Sequence, residues 1–222
     1  MIYVLSGIKG GSGRSTISEH LTVWLARQGA DVLFIDADEQ GTVSDFTAWR
    51  EHTLDGQVGY TLVQLVGANL RKQVETMKPK YDHIVIDTGG RDTTSQRAAL
   101  IVADVALIPI QPRSHDVWTL AKLLELLGEI QASRIDPLII YSFLNRADIT
   151  SADNRQTAEA LTDMPDLGFV IYEIKNRKAY PNAGAKGLTV FEMDPPDQKA
   201  ITDINALFNH ITDGRFLSTP QA

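Results

Sequence analysis

Lys9-Gly10-Gly11-Ser12-Gly13-Arg14-Ser15-Thr16 places three glycines, two cations and a Ser-Thr pair within eight residues. That spacing suits a phosphate cradle: bare backbone N–H groups wrap phosphate oxygens, a cation neutralises them, and the hydroxyl after the cation reaches Mg²⁺. The apolar run Ile2-Tyr3-Val4-Leu5 comes before it, and Ile17, Leu21, Trp24 and Leu25 follow on one helical face. The loop therefore joins a strand to a helix, the context that this chemistry requires. A glycine cluster alone also fits a flexible loop; the cation-Ser-Thr ending in this context favours phosphate. The strict pattern fails at Ile8, where it has glycine, and at Arg14, where it has lysine.

Two further segments place acids at strand ends. Asp36-Ala37-Asp38-Glu39-Gln40-Gly41 follows the run Val32 to Ile35. Carboxylates there serve Mg²⁺ or orient an attacking water, although a solvated acidic turn has the same composition. In His83-Ile84-Val85-Ile86-Asp87-Thr88-Gly89-Gly90, Asp87 suits an outer-shell Mg²⁺ contact and the Gly90 N–H suits a γ-phosphate. A strand ending in Asp-Thr-Gly is common, but three such elements in order, each at a strand tip, are not. Late in the chain, Lys175, Arg177, Lys178 and Lys186 are four basic residues among twelve with no acid between them. They fit either sequence-independent contact with nucleic-acid phosphates or a solvated loop.

The elements that must position these residues alternate along the chain. Apolar strands are predicted at Ile2–Leu5, Val32–Ile35, Thr61–Leu65, His83–Ile86, Val105–Ile108 and Leu138–Tyr141. Helical patterns fall at Val43–Trp49, Arg71–Met77, Gln96–Val102 and Trp118–Ile130. The fold class is α/β, a doubly wound, mostly parallel sheet flanked by helices, with ligands at the carboxyl ends of the strands. A single domain is expected over residues 1–213, with a flexible tail at 214–222. The chain of 222 residues has no cysteine, which excludes disulfides, thiolate zinc sites and cysteine-held iron–sulfur clusters. No apolar run approaches the roughly 20 residues of a membrane span, and residues 1–8 lead into the cradle rather than reading as a secretory signal. A net charge of −7 confines any nucleic-acid contact to a local patch. His20, His52, His83, His115 and His210 show no paired metal-ligand spacing and read as surface or satisfied polar groups. Trp24 and Trp118 read as core or interface residues.

The chain resembles the ParA/MinD family of P-loop ATPases, whose deviant Walker A motif reads Lys-Gly-Gly-x-Gly-Lys-(Ser/Thr)-Thr. The likeness continues through Asp36-x-Asp38-x-Gln40, the Asp87 strand, Ala103-Asp104-Val105 to Pro109, Leu144-Asn145-Arg146, and Gly187 to Glu192 ahead of an implied C-terminal helix near Asp197–Ile211. It is strongest to short ParA-type proteins that position plasmids and to the McdA proteins that space carboxysomes. The resemblance implies ATP and Mg²⁺ as cofactors and a slow, partner-stimulated ATP hydrolysis. Lys9 would be the signature lysine acting in an ATP-dependent sandwich homodimer, and Asp38 would orient the hydrolytic water. Gly10, Gly11, Ser12, Gly13, Arg14, Ser15, Thr16 and Gly90 would hold phosphates, with Thr16 on the α-phosphate and Ser15 and Asp87 on the metal. Asn145 and Arg146 would form the base corner. The implied partners are nonspecific DNA, gripped by Lys175, Arg177, Lys178 and Lys186, and a cargo-bound adaptor of the ParB or McdB type, with no membrane. Such a protein would be cytoplasmic and nucleoid-associated when ATP-bound. A MinD-like membrane switch and a metabolic ligase on the same fold are the alternatives. Against the family pattern, Glu39 replaces proline and Arg14 replaces lysine, a planar fork in place of a point charge.

Overall fold

The computed structural model describes residues 1–90, 93–112 and 117–212, with the side chains of 117–119 left undescribed. His115, the Trp118 side chain and the 214–222 tail lie outside the described residues. In chain order the elements are β1 (Ile2–Leu5), α1 (Arg14–Arg27), β2 (Val32–Ala37), α2 (Thr42–Thr53), β3 (Thr61–Gln64), α3 (Leu70–Met77) and β4 (His83–Thr88). Then come α4 (Thr94–Val102), β5 (Val105–Ile110), α5 (Val117–Ala132), β6 (Ile139–Ala147), α6 (Ala152–Thr162), β7 (Ile174–Lys175), α7 (Ala179–Gly184) and α8 (Gln198–Ile211).

The strands make one seven-stranded sheet in the order β3-β2-β4-β1-β5-β6-β7, every pair parallel. Strands covered on both faces need continuous apolar runs, and the residues of β1, β2 and β5 are buried throughout. One face packs against Leu70 and Val74 of α3, Ala98 to Leu100 of α4, and Leu123, Leu126 and Ile130 of α5. The other packs against Ile17, Leu21 and Leu25 of α1, Val43 of α2, and Ile204, Leu207 and Phe208 of α8. After β1 the chain builds the sheet on one side through β2, β3 and β4, then crosses to the other through β5. The loop leaving β1 thus opens where the connections diverge, the place where α/β sheets bind ligands.

All six predicted strands are present, and β6 and the C-terminal elements differ from expectation. β6 was expected to end at Tyr141 and runs on to Ala147, because Ser142 and Asn145 are buried strand positions that break the apolar run. β7 has two residues. α6, absent from the expected elements, buries only Asn154 and Leu161 and so carries little apolar periodicity; Ser151 starts it by accepting the Asp153 N–H. α8 starts as predicted, Asp197 capping the Lys199 and Ala200 N–H groups at 3.1 Å.

Candidate nucleotide site

The cradle leaves β1 and enters α1 through two glycines in the left-handed region, Gly11 at φ 82° and Gly13 at φ 86°. A side chain at Gly13 would collide with the Asn145 amide. That amide donates from Nδ2 to the Ser12 carbonyl at 2.6 Å, and Gln111 donates to the Gly11 carbonyl at 2.8 Å. The loop is therefore braced by the tips of β6 and β5.

Arg14, nearly buried, spends its fork on the protein. Its Nε donates to the Thr88 carbonyl at 3.1 Å, and Nη1 donates to the Lys9 carbonyl at 2.7 Å and the Ser12 hydroxyl at 3.1 Å. A Cβ at Gly90 would stand 2.7 Å from Nη2 and 3.0 Å from the Gly10 backbone, so only glycine lets the end of β4 approach the cradle this closely. Burial lowers the Arg14 pKa, while Asp87 and Asp38 act to support the charge.

Ser15 donates to Asp87 Oδ2 at 2.7 Å. Asp87 is fully buried, and its Oδ1 has no hydrogen-bond partner. Burial pushes its carboxyl up to about 7, against the opposing pull of the Ser15 hydrogen bond and the Arg14 charge. A buried oxygen without a donor beside a Ser hydroxyl fits a hard cation. Among the described residues no group of three or more His, Asp or Glu could hold a metal alone. One turn along α1, Glu19 is buried, and burial followed by the charge of Asp87 drives its pKa well above the usual carboxylate range.

Asp38 sits at the tip of β2. Its Oδ1 accepts the Gln40 N–H at 3.1 Å and lies 3.1 Å from where a Gly89 Cβ would be. Lys9 is exposed, and the half-buried Thr16 lies in the first turn of α1. At β6, Arg146 adopts φ 55° where the pairing with β7 shifts register between Asn145 and Ala147, a bulge that turns its side chain outward while Asn145 stays inside. Asn145 and Arg146, with Thr16, Ile174, Tyr180 and Pro181, line a cavity of about 150 Å³ beside the cradle.

The late basic residues divide into two pairs. Lys175 and Arg177 line that same cavity. Lys175 pairs with Glu173, and Arg177 pairs with Asp203 at 3.0 Å. Lys178 and Lys186 are exposed.

Four residues support the site, of which sequence reasoning named Asp36 and His20 without their partners and missed Gln96 and Gln111 as supports. Gln96 of α4 donates to the Ser6 hydroxyl at 2.8 Å and the Gly7 carbonyl at 3.1 Å, holding the start of the loop. Gln111 braces the loop's apex. His20 is fully buried; its Nε2 accepts the Val190 N–H at 3.1 Å, so Nδ1 carries the proton it donates to the Thr16 carbonyl at 2.7 Å. Asp36 accepts three donors at the tip of β2. Gln96 shows in the sequence only as a polar residue inside an apolar helix and Gln111 only as one just past a strand, while Asp36 and His20 were visible as a strand-tip acid and a satisfied polar group; none of these signals names a partner.

A profile of the ATPase MipZ family matches residues 1–142. The chain is 26% identical over 214 residues to the maintenance of carboxysome distribution protein A of Halothiobacillus neapolitanus, with 93% of this chain and 94% of that protein covered. Its fold is similar to that of Cyanothece McdA in an ATP complex, with a TM-score of 0.81 at 19% identity over 100% of this chain and 97% of that one. It is also similar to the Pyrococcus furiosus cell division ATPase MinD, at a TM-score of 0.74 and 18% identity over 96% and 98% of the two chains. Since the profile spans well over half of the chain, the protein belongs to the MipZ family of ATPases, of the ParA/MinD type.

Proposed function

We propose that this chain is a ParA-type positioning ATPase that binds ATP at the cradle, pairs with a second copy, holds DNA without reading its sequence, and distributes a cargo. The observation that carries the reading is the joint of Ser15, Asp87 and Arg14 at the end of β1 and β4: a buried carboxylate oxygen without a donor, a hydroxyl and a guanidinium, all within reach of one glycine-rich loop.

In this reading Gly10 to Gly13 and Thr16 receive the phosphates, and Arg14 exchanges its Lys9 and Ser12 contacts for phosphate oxygens. Ser15 and Asp87 are the residues that would hold Mg²⁺, which neutralises charge shared between the terminal phosphates. The Gly90 N–H faces the terminal phosphate. Asp38 orients a water whose oxygen bonds to the γ-phosphorus as the bond to the bridging oxygen breaks, and Lys9 stabilises that charge from across a sandwich dimer. Asn145 spends its Nδ2 on the Ser12 carbonyl and so offers Oδ1, an acceptor suited to the exocyclic amine of adenine.

The similarity to a carboxysome distribution protein along nearly the whole chain supports a positioning role with an adaptor of the ParB or McdB type. Lys178 and Lys186 are the exposed cations available to DNA phosphates. Among the described residues no helix is long and apolar enough to cross a membrane. The reading places the protein in the cytoplasm, on the nucleoid when ATP is bound. Titration with labelled ATP and Mg²⁺, followed by light scattering and DNA binding of the Asp38→Ala variant, tests it. Saturable binding, an ATP-dependent dimer and ATP-dependent DNA retention are expected; no saturable binding would end the reading.

A further inference from the structure

Buried polar contacts tie down both ends of α2, and the nucleotide chemistry above uses none of them. At its start Asp36, fully buried, accepts the Ser44 N–H at 2.9 Å and the Ser44 hydroxyl at 2.6 Å on Oδ2, and the Asp38 N–H at 3.2 Å on Oδ1. At its far end Arg50 forms a two-pronged pair with Glu192, at 2.9 and 2.6 Å, and donates to the Val58 carbonyl at 2.8 Å and the Gly187 carbonyl at 3.2 Å. Glu192 also accepts the Thr189 N–H at 2.9 Å and its hydroxyl at 2.8 Å. The adjacent Val190 N–H binds His20, which returns to Thr16 at the start of α1. A circuit of polar contacts thus leaves the cradle helix at Thr16 and comes back to Asp38 through residues 187–192, Arg50 and α2.

We propose that Asp36, Ser44, Arg50 and Glu192 are positioning residues for ATP hydrolysis, holding the Asp38 backbone at a fixed place relative to the cradle helix. The proposal rests on the reading of Asp38 as the water-orienting group. Asp38 needs such a brace because Glu39 and Gln40, the two residues after it, are exposed, and no proline ring at position 39 stiffens the turn. A carboxylate given three donors is committed to the protein, so Asp36 serves as an acceptor for α2 rather than as a metal ligand. Reaction rates fall steeply when a reacting group is displaced by about 1 Å from its ideal position, whereas ground-state nucleotide binding depends on the cradle and tolerates a loose Asp38.

The test is steady-state hydrolysis and nucleotide binding on the full chain. Ser44→Ala is expected to lower kcat about five- to tenfold with nucleotide affinity changed by less than about twofold. Ser44→Thr restores the hydroxyl and is expected to recover most of the rate. Glu192→Gln opens the same circuit elsewhere, so the double variant with Ser44→Ala is expected to lose less than the product of the single losses. If Glu192→Gln does not fold, Thr189→Val removes one of its donors in its place. An unchanged kcat in Ser44→Ala, a loss confined to KM, or strictly multiplicative losses would overturn the proposal. Asp38→Ala run alongside separates the two readings. If it leaves hydrolysis intact, the role of Asp38 fails; if it abolishes hydrolysis while Ser44→Ala does nothing, only the brace fails.

Discussion

The Arg14 guanidinium reaches across the site to donate its Nε to the carbonyl of Thr88 at 3.1 Å, joining the cradle to the end of β4. A lysine ammonium is a single point of donation and cannot hold Thr88, Lys9 and Ser12 from the geometry of one planar fork. Arg14→Lys is therefore expected to destabilise the nucleotide-free protein by about 1–3 kcal/mol, read as a shift in denaturant midpoint. An unchanged midpoint would show that the fork adds nothing over an ammonium.

Burial raises the Glu19 pKa, with the Asp87 charge adding to the effect. Its folded pKa lies above its ordinary 4.5, so as pH rises from there the unfolded chain ionises first and stability falls. Glu19→Gln keeps the shape and removes that loss. The variant's thermal midpoint should exceed that of the wild type at pH 8 and approach it near pH 4.5, and a gain independent of pH would contradict the assignment.

His20 works in the opposite direction. Burial lowers its pKa from 6.5 to about 4, so in that window the unfolded chain takes up a proton that the folded chain refuses, and stability drops as pH falls. The loss approaches about 3 kcal/mol by the bottom of the window. His20→Gln should be less stable at neutral pH and should show a shallower acid limb than the wild type in denaturation from pH 6.5 to 4. Parallel limbs would mean that His20 is not the titrating group.

Asn145 joins the cavity beside β6 to the cradle. Asn145→Ala removes its bond to Ser12 and opens a gap beside Gly13, and it should weaken binding of a fluorescent ATP analogue by about tenfold. Equal weakening of ATP and GTP analogues would assign Asn145 to the loop alone.

If DNA is held by exposed cations, Lys178 and Lys186 should carry the salt dependence. Replacing both with alanine should flatten the slope of log K against log salt by about two, while Lys175→Ala, whose ammonium is already paired with Glu173, should change it little. The reverse pattern would move the DNA contact to the cavity rim.

The elements proposed to hold phosphate were legible because each is a short stretch of chain: Lys9 to Thr16, Asp36 to Gln40 and Asp87 to Gly90 are contiguous, and the apolar strands before them mark where they end. The supports were not, because they act over long separations. Arg50 and Glu192 are 142 residues apart and His20 and Val190 are 170 apart, so neither partner predicts the other. The charge run at Lys175 to Lys186 looked uniform because the acids that neutralise its first half, Glu173 and Asp203, lie outside it. Strand β6 was cut short for a similar reason: buried Ser142 and Asn145 look like the start of a loop until the tertiary partners are known.

The two edges of the sheet limit how copies of this chain can meet. β3 exposes Thr61 and Gln64 over four residues, and β7 has two residues and begins beside a bulge. Neither offers the long, flat apolar ladder that lets sheets grow into one another. Growth into a continuous shared sheet is thereby discouraged, and in the proposed function pairing falls instead to the loop end, where the cradle and Asp38 lie and where it would depend on a ligand and end when that ligand is consumed.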